Sequence, residues 1–160
     1  MNDIILKPIG VVETEALGDE VRSKDNISKI VLHGDLEEAL DGVADFSHLF
    51  VLFWMHGIKK RAEDRSVDRL KVHPRGRRDM PLLGLFATRT PHRPNPLGLT
   101  LVELLRINGC VLTVRGLDAF DGTPVLDIKP YDKWDVVDDA RMPEWWRRLE
   151  DEREERRARG

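Results

Sequence analysis

Apolar residues recur along the chain in short runs that are typical of β-strands. The first run, "IILKPIGVV" at residues 4–12, predicts a strand in which Pro8 lies at an edge or a bulge. The run "LFVLFWM" at residues 49–55 is apolar at every position, which predicts a strand buried in the core. Further strands are predicted at "RLKVH" (69–73), "LLGLFAT" (82–88), "LGLTLVELLRI" (97–107), "VLTVRGL" (111–117) and "VLDIKPY" (125–131).

Two dipeptides predict the turns between the last three strands. Asn-Gly at 108–109 is a strong hairpin signal, because both residues readily adopt the positive φ that tight turns require. Asp-Gly at 121–122 predicts a second turn. In the strand after it, apolar and polar side chains alternate, so Leu126 and Ile128 are expected on one buried face.

Two helices are predicted outside the strands. The stretch "DLEEALDG" at residues 35–42 predicts a short helix that Asp35 caps and Gly42 ends. A terminal helix is predicted to begin at Pro143, and its charged remainder is expected to be solvated or frayed. The apolar positions of its first turns are Trp145, Trp146 and Leu149. The two tryptophans place a large apolar area on a helix with little else to bury it, which favours a dimer.

The number of strands and the scarcity of helices predict a mainly β fold. We expect a small, largely antiparallel β-barrel with short peripheral helices and a C-terminal helix, and a β-sandwich is the alternative. A chain of 160 residues is typical of one domain that buries about 70% of its unfolded surface. We assign residues 1–142 to the barrel domain and residues 143–160 to a charged C-terminal helix or tail.

Composition and missing motifs exclude several classes of protein. Hydrophobic residues make up 41% and charged residues 34% of the chain, as in globular proteins. No apolar run is long enough to cross a bilayer, and Lys7 and Pro8 interrupt the first one, so we expect a cytoplasmic protein without a signal peptide. The single Cys110 excludes an internal disulfide and argues against zinc, so no metal is expected. Glycine-rich dinucleotide and P-loop motifs are missing from the sequence.

Charge is distributed unevenly along the chain. Residues 1–58 carry four basic and 11 acidic side chains, whereas residues 59–78 carry nine basic and three acidic ones, a local balance of +6. Such a block attracts polyanions through phosphate contacts. Its candidate RNA-binding residues are Arg75, Arg77 and Arg78. A solvated surface loop is the alternative explanation.

The segment "ATRTPHRPNPLGLT" at residues 87–100 contains three prolines within six residues. Each proline fixes its own φ and keeps the preceding residue out of the helical region, which predicts an extended segment. In a polyproline II helix, Arg89, His92 and Asn95 share one edge and are presented to a small polar or anionic ligand at little entropic cost. The alternative is a rigid crossover whose polar groups bond neighbouring backbone atoms.

Three long stretches match one family of proteins: "GLFATRTPHRPNPLGLT" (84–100), "GLDAFDGTPVLDIKPY" (116–131) and "DFSHLFVLFWMH" (45–56). From "IGVV" to about residue 135 the chain resembles the TrmO (TsaA-like) tRNA methyltransferases. These are β-barrel enzymes that use S-adenosylmethionine to methylate N(6)-threonylcarbamoyladenosine beside the tRNA anticodon. The resemblance implies this fold, this cofactor, tRNA as partner and a homodimer with the pocket near the subunit interface.

The resemblance also implies which residues border the cofactor. They are His56, Gly57, Arg89, Leu99, Asp121, Gly122, Thr123 and Pro124. One loop departs from the family, because "GDEVRSK" (18–24) stands where members usually carry "PRQ", and only Arg22 lies near a matching basic position. The longer bacterial members have an additional C-terminal domain beyond the point where this sequence stops, so we expect the basic block or the terminal helix to contribute more to tRNA binding.

Methyl transfer to the modified adenosine sets chemical requirements for the site. Its exocyclic nitrogen is a poor nucleophile because the carbamoyl group withdraws the lone pair, so a base or a donor to the carbamoyl oxygen lowers the barrier. The candidate catalytic residues are His92 as base, Arg93 as donor, and Asn95; a loop-ordering role for His92 is the alternative. Two other functions remain open: a non-catalytic nucleotide- or RNA-binding barrel, and a methyltransferase with a different acceptor.

Overall fold

A computed structural model of the chain describes residues 3–57 and 70–159. The strands are β1 (Gly10–Glu13), β2 (Ile27–Leu32), β3 (His48–Trp54), β4 (Lys71–Val72), β5 (Leu83–Gly84), β6 (Leu97–Asn108), β7 (Val111–Arg115) and β8 (Pro124–Pro130), and the α-helix is α1 (Glu144–Arg159). Short 3-10 helices span Gly18–Arg22, Gly34–Leu40, Val43–Asp45, Pro74–Gly76, Leu85–Ala87 and Lys133–Asp135. The chain forms two compact units, the first of Met1–Lys59 with Pro91–Asp135 and the second of Lys60–Thr90 with Val136–Gly160. The predicted division at residue 142 stays a prediction.

The first unit is a closed antiparallel barrel with the strand order β1-β2-β7-β6-β3-β8. The predicted barrel with short peripheral helices and a C-terminal helix is therefore confirmed. Inward-facing residues of the strands fill its core; among them are Val12, Ile30, Val51, Val102, Leu112, Val114 and Val125. Because a closed barrel has no edge strands, each of these six strands finds hydrogen-bond partners on both sides.

Antiparallel pairing decides which loops meet at each end of the barrel. Trp54, the last residue of β3, pairs with Leu97, the first residue of β6. Strand β8 runs antiparallel to both β3 and β1, so it begins where those two strands finish. We call the end at which β1 and β3 finish and β6 and β8 begin the loop end. The connections at residues 55–57 and 118–123 therefore meet there.

The first strand is shorter than predicted, and the assignment of residues 4–9 to it is wrong. Strand β1 begins at Gly10, which pairs with Leu32, the last residue of β2. The ladder ends there because β2 ends, with one further backbone hydrogen bond from His33 to the Ile9 carbonyl at 2.9 Å. A Cβ atom on Gly10 would lie 2.3 Å from the Val31 carbonyl oxygen, so the two strands approach closely only because position 10 is glycine.

The helix predicted at residues 35–42 is a 3-10 helix with different ends. It begins at Gly34 after His33, whose side chain forms no capping bond, so Asp35 lies inside the helix and does not cap it. It ends at Leu40, and Gly42 adopts a left-handed φ of 79° before the next 3-10 turn. Polar residues at both ends favoured a cap in the sequence, but the backbone bonds from Leu36 to His33 and from Asp41 to Glu38 span three residues, which is the 3-10 pattern.

The hairpin between β6 and β7 is confirmed, but its turn lies one residue later than predicted. Asn108 pairs with Val111 in the ladder, which leaves Gly109 and Cys110 as the two loop residues. Gly109 has a φ of 56°, and the first loop position of a type II′ turn requires such a value. The turn predicted at residues 121–122 is also present, with a φ of 74° at Gly122.

The predicted buried face of β8 is wrong because the strand contains a bulge. Leu52 pairs with Asp127 and Phe53 with Val125, so Leu126 has no partner in the β3 ladder. The extra residue shifts the alternation by one position. Val125 is buried in the core and Ile128 packs against it, whereas Leu126 is only half-buried.

The second unit contains α1 and the β4–β5 pair, which is shorter than the predicted strands at 69–73 and 82–88. Helix α1 begins at Glu144, one residue after the predicted start, and Pro143 accepts its first backbone hydrogen bonds. It continues to Arg159, and most of the described side chains beyond Leu149 are exposed, so this stretch is solvated, as one of the two predicted alternatives states, and is not frayed. Leu149 is buried, and Trp145 and Trp146 pack edge to face with ring centroids 5.7 Å apart.

Candidate functional site

The turn before β8 is bonded to the end of β1 at the loop end of the barrel. The Val12 backbone N–H donates to the Thr123 carbonyl at 2.9 Å, and Gly122 donates back to the Val12 carbonyl at 2.8 Å. The carboxylate of Asp121 accepts a hydrogen bond from the Thr14 backbone N–H at 3.0 Å. These bonds hold the predicted cofactor turn in a fixed position.

The end of β3 lies beside this turn. Nδ1 of His56 and the hydroxyl of Thr123 are 3.0 Å apart and hydrogen-bonded. Thr123 is 2% exposed, whereas the His56 ring is exposed, so a buried hydroxyl holds an accessible imidazole. A Cβ atom on Gly122 would lie 4.0 Å from Nε2 of His56, which shows that this ring nitrogen faces the turn. The structure thus brings His56 together with the turn at residues 121–124, two parts of the chain that the sequence nominated separately.

The start of β6 provides an apolar surface next to the end of β3. Leu99 is 56% exposed and pairs with Leu52 of β3. The neighbouring residue of β6, Gly98, is buried and faces the core. A Cβ atom on Gly98 would lie 2.2 Å from a ring carbon of Phe53, so only glycine leaves room for that ring. Leu99 is therefore on the outer surface of the barrel, where a ligand or a second protein can reach it.

The triproline segment is bent, so the prediction of a polyproline II helix is wrong. The Arg93 backbone N–H donates to the Pro91 carbonyl at 2.9 Å, and Leu97 donates to Asn95 at 2.8 Å. Such bonds across one intervening residue are γ-turns, whereas polyproline II has no internal hydrogen bonds. The bends depend on short-range backbone hydrogen bonds. Neither the alternation of apolar and polar residues nor the spacing of the prolines indicates such bonds.

The candidate catalytic residues lie on this bent segment. His92 and Asn95 are exposed, and Arg93 is half-buried. The segment enters the barrel at the loop end, because the Met55 backbone N–H donates to the Pro96 carbonyl at 2.8 Å. His92, Arg93 and Asn95 belong to the first unit together with His56 and the turn at 121–123, whereas Arg89 belongs to the second unit. His56, Gly57 and Asp121 are exposed at the same barrel end, and Pro124 begins β8.

The loop that departs from the family pattern is ordered in a 3-10 helix at Gly18–Arg22. Val21 within it is fully buried, which anchors the loop to the first unit. The guanidinium of Arg22 forms an exposed ion pair with Asp19 at 3.1 Å. Arg22, the residue that lies near the basic position of the family's "PRQ" loop, is therefore already paired with an acidic neighbour.

Residues 59–69 of the basic block lie outside the described residues. In the rest of the block, the arginines differ in their exposure and their contacts. Arg75 and Arg78 are exposed. Arg77 makes two hydrogen bonds to Asp79, at 2.6 and 3.1 Å, and a second pair of bonds to Glu152 on α1. Arg77 thus holds the loop at residues 73–79 against α1, a role that the sequence analysis missed.

The ion pairs of Arg77 belong to a four-residue network. Arg148 on α1 contacts Asp79 at 2.5 Å and Glu152 at 3.4 Å. The hydrogen bonds from Arg77 lower the pKa of Asp79 to about 2 and also lower the pKa of Glu152. The same bonds raise the pKa of Arg77. Of these contacts, the Arg148–Glu152 pair has the spacing of four residues on one helix that a sequence pattern could have indicated.

Neither a metal site nor a membrane-spanning helix is found in the part of the chain that the structure describes. Over residues 3–57 and 70–159, no group of three or more histidine, cysteine, aspartate or glutamate side chains is placed to hold a metal ion. The helices in these ranges are also too short or too polar to cross a membrane. The loop end of the barrel instead offers carboxylate, imidazole and apolar groups, which suit an organic ligand with both polar and apolar parts.

Comparison with protein families matches residues 18–136 to the tRNA-methyltransferase O N-terminal domain. A probable S-adenosyl-L-methionine-binding protein of Methanothermobacter thermautotrophicus is 46% identical over 134 residues, which are 81% of this chain and 90% of the relative. An S-adenosyl-L-methionine-binding protein of Archaeoglobus fulgidus is 40% identical over 80% of this chain and 89% of its own length. A tRNA (adenine(37)-N6)-methyltransferase of Mus musculus is 43% identical over 59% of this chain but only 21% of its own length.

Solved structures give the same result. A crystal structure of TrmO superposes with a TM-score of 0.70 at 33% identity, covering 88% of this chain and 64% of the crystallised one. Another, of TrmO from Pseudomonas aeruginosa, has a TM-score of 0.67 at 30% identity and covers 88% and 62%. The chain therefore spans less than two thirds of these crystallised proteins but about nine tenths of the two archaeal relatives.

Proposed function

This chain belongs to the tRNA-methyltransferase O family, and we propose that it is an S-adenosylmethionine-dependent methyltransferase acting on N(6) of threonylcarbamoyladenosine next to the tRNA anticodon. The names of the archaeal relatives support the cofactor, and the name of the mouse relative supports methyl transfer to adenine 37 of tRNA. The threonylcarbamoyl form of the acceptor is inferred from the motifs at residues 84–100 and 116–131. A tRNA substrate is consistent with an enzyme of the cytoplasm.

The observation that carries the proposal is that His56, Asp121 and Thr123, three of the nominated cofactor residues, lie at one barrel end. His56 and Thr123 come from connections that are 67 residues apart and are joined by a hydrogen bond of 3.0 Å. Asp121 is fixed two residues away by its bond to Thr14. A binding site needs groups that are positioned before the ligand arrives, because this lowers the entropic cost of binding.

These residues suit S-adenosylmethionine by their chemistry. The carboxylate of Asp121 accepts hydrogen bonds from hydroxyl or ammonium groups, and exposed Leu99 offers an apolar surface for an adenine ring. Glycine at positions 57 and 122, both with a φ of 74°, keeps backbone atoms accessible. S-adenosylmethionine supplies an electrophilic methyl group when it is bound.

The residues of the triproline segment would act on the acceptor. His92 is exposed and accepts a proton from the exocyclic nitrogen when its imidazole is neutral. Arg93 donates hydrogen bonds to the carbamoyl oxygen and stabilises the charge that moves onto it. The proline-restricted backbone holds Asn95 beside them and limits the motion that would misalign the acceptor.

A non-catalytic nucleotide- or RNA-binding barrel is the second candidate function, because the loop at residues 18–24 departs from the family pattern. Its Arg22 is paired with Asp19, which competes with a cofactor for the guanidinium. A methyltransferase with a different acceptor is a third candidate, since the acceptor is chosen by the shape of the pocket. All three candidates predict different outcomes in one set of measurements.

Cofactor binding and methyl transfer separate these candidates. Calorimetry should detect binding of S-adenosylmethionine, and Arg89→Ala and Asp121→Asn should each weaken it several-fold, whereas Asp25→Asn, an exposed control, should not. Arg93→Ala should reduce methyl transfer to tRNA more than it reduces tRNA binding. Binding of tRNA without any binding of the cofactor would support the non-catalytic barrel and contradict the proposal.

A homodimer is also part of the proposal, and an apolar surface of the barrel supports it. We call this surface the outer apolar face; it consists of Trp54, Leu97, Leu99, Leu101 and Leu105, all exposed on the outside of β3 and β6. Monomers rarely leave so many large apolar side chains together in water. A second copy is the favoured occupant because two equal faces bury each other in a two-fold dimer. Leu99 connects this face to the proposed cofactor site.

A further inference from the structure

A cleft of the second unit lies between the loop at residues 73–79 and helix α1. Its lining consists of Arg75, Trp146, Leu149, Glu150 and Arg153. The four helix residues follow one another at helical spacing and share one face of α1. Leu149 is 4% exposed, whereas Trp146 is half-buried and Arg153 is exposed. The cleft thus has an apolar base, one accessible indole and two guanidinium groups at its rim.

Arg75 adopts a strained backbone conformation at this cleft. Its φ of 56° and ψ of 22° lie in the left-handed region, and within residues 3–57 and 70–159 it is the non-glycine residue with a positive φ. That conformation costs free energy for any residue with a Cβ atom, and glycine at position 75 would avoid the cost. Strain of this kind persists mainly at functional sites. This conformation therefore marks Arg75 as a candidate functional residue.

Arg77 has a different role from its neighbour. Its bonds to Asp79 and Glu152 fasten the loop to α1, and Arg148 adds a further contact to Asp79. These ion pairs join the loop that carries Arg75 to the helix that carries Arg153. Arg77 is accordingly a positioning residue, and the sequence alone does not distinguish it from Arg75 or Arg78.

We propose that the surface around this cleft contacts a single-stranded nucleotide of the RNA substrate. The guanidinium groups of Arg75 and Arg153 match the geometry of phosphate oxygens, and the indole of Trp146 offers a stacking surface for a base. Glu150 on the same face accepts hydrogen bonds from base amino groups or ribose hydroxyls. This inference rests on the proposed function and deepens it, because it states which residues of the basic block and of α1 contact the RNA.

The decisive variant is Arg75→Gly in the full chain, because it removes both the guanidinium and the backbone strain. We expect its melting temperature to equal or exceed that of the parent, while its affinity for a tRNA anticodon stem-loop falls about tenfold. The slope of log K against log salt should become shallower by roughly 0.7 to 0.9 for each phosphate that the variant no longer neutralises.

Three further variants test the other parts of the cleft. Arg153→Ala should lower the affinity and the slope as Arg75→Gly does, and Trp146→Leu should lower the affinity without changing the slope. Arg147→Ala, which removes a charge from α1 outside the cleft, is the matched control and should change neither quantity beyond experimental error.

Two controls separate failure of this inference from failure of the proposed function. S-adenosylmethionine affinity, measured by calorimetry, should be the same in the parent and in Arg75→Gly. If the parent methylates tRNA but Arg75→Gly and Arg153→Ala bind the stem-loop as the parent does at every salt concentration, the cleft is not the RNA contact and the proposed function stands. If the parent binds S-adenosylmethionine but no RNA, both the cleft and the tRNA substrate are wrong.

Discussion

At the scale of single residues, the bond between Thr123 and His56 is the most informative contact of the proposed site. The buried hydroxyl fixes the orientation of an exposed imidazole at a distance of 3.0 Å. We predict that Thr123→Val lowers the affinity for S-adenosylmethionine about fivefold, since a neutral hydrogen bond contributes about 1 kcal/mol. Calorimetry checks this, and Thr123→Ser, which keeps the hydroxyl, should restore most of the affinity. Equal affinities of the valine and serine variants would mean that the bond does not position the ring for binding.

Gly98 gives a second prediction at this scale, one that concerns stability. A Cβ atom there would lie 2.2 to 2.7 Å from three ring carbons of Phe53, so Gly98→Ala forces the ring or the β6 backbone to move. We expect a loss of about 1–3 kcal/mol in the free energy of unfolding. Gly34→Ala is the control, because nothing lies within 4 Å of its added Cβ atom and its φ is not positive. Chemical denaturation of both variants measures the difference, and an equally stable Gly98→Ala would refute the close contact.

At the scale of elements, the ion network between the 73–79 loop and α1 makes helix docking sensitive to acid. The pKa of Asp79 falls to about 2 because Arg77 donates hydrogen bonds to its carboxylate. A carboxylate with a lowered pKa in the folded state stabilises that state above its ordinary pKa of 3.8. This contribution shrinks as the pH falls below about 4 and is lost as the pH falls through about 2.

The prediction is that Asp79→Asn lowers the melting temperature at neutral pH and that the difference from the parent shrinks below about pH 4 and vanishes below about pH 2. Thermal denaturation followed by circular dichroism measures it over this pH range. Asp25→Asn, a substitution in the other unit, should leave the melting temperature nearly unchanged. A constant difference between Asp79→Asn and the parent at all pH values would show that the charge of Asp79 is not the cause.

Elements with strong local signals were predictable from the sequence. The apolar run of β3 and the hairpin after β6 fall within one or two residues of their predicted positions. The errors arose where a neighbour decides the conformation: the bulge at Leu126 depends on pairing with β3, and the truncated β1 depends on where β2 ends. The spacing of the prolines does not indicate the γ-turns around Arg93 and Asn95 either, because it predicts only that the segment is not helical.

The proposed site was predictable only in part, for a related reason. Resemblance to a family nominated His56 and Thr123, but their contact requires that β3 and β8 lie side by side in opposite directions. The basic block predicted three equivalent arginines, whereas the structure shows that Arg77 joins its loop to Glu152 on α1. Such distinctions depend on residues distant in sequence, here Asp79 on the loop and Glu152 on α1.

At the scale of the whole molecule, the outer apolar face predicts self-association. Leu101→Asp places a charge in the middle of that face, and we expect the variant to be monomeric at concentrations where the parent is a dimer. Light scattering measures the mass, and Leu17→Asp, at an exposed position outside the face, should remain dimeric. A monomeric parent at micromolar concentration would contradict the proposed homodimer.

The central claim is that the chain transfers a methyl group from S-adenosylmethionine to threonylcarbamoyladenosine in tRNA. The most direct test incubates the protein with tRNA and with cofactor that carries an isotopically labelled methyl group, then digests the tRNA and identifies labelled nucleosides by mass spectrometry. Our account predicts label on N(6) of threonylcarbamoyladenosine, strongly reduced by Arg93→Ala and absent with tRNA that lacks this modification. Label in another nucleoside, or tRNA without label although the protein binds the cofactor, would contradict it.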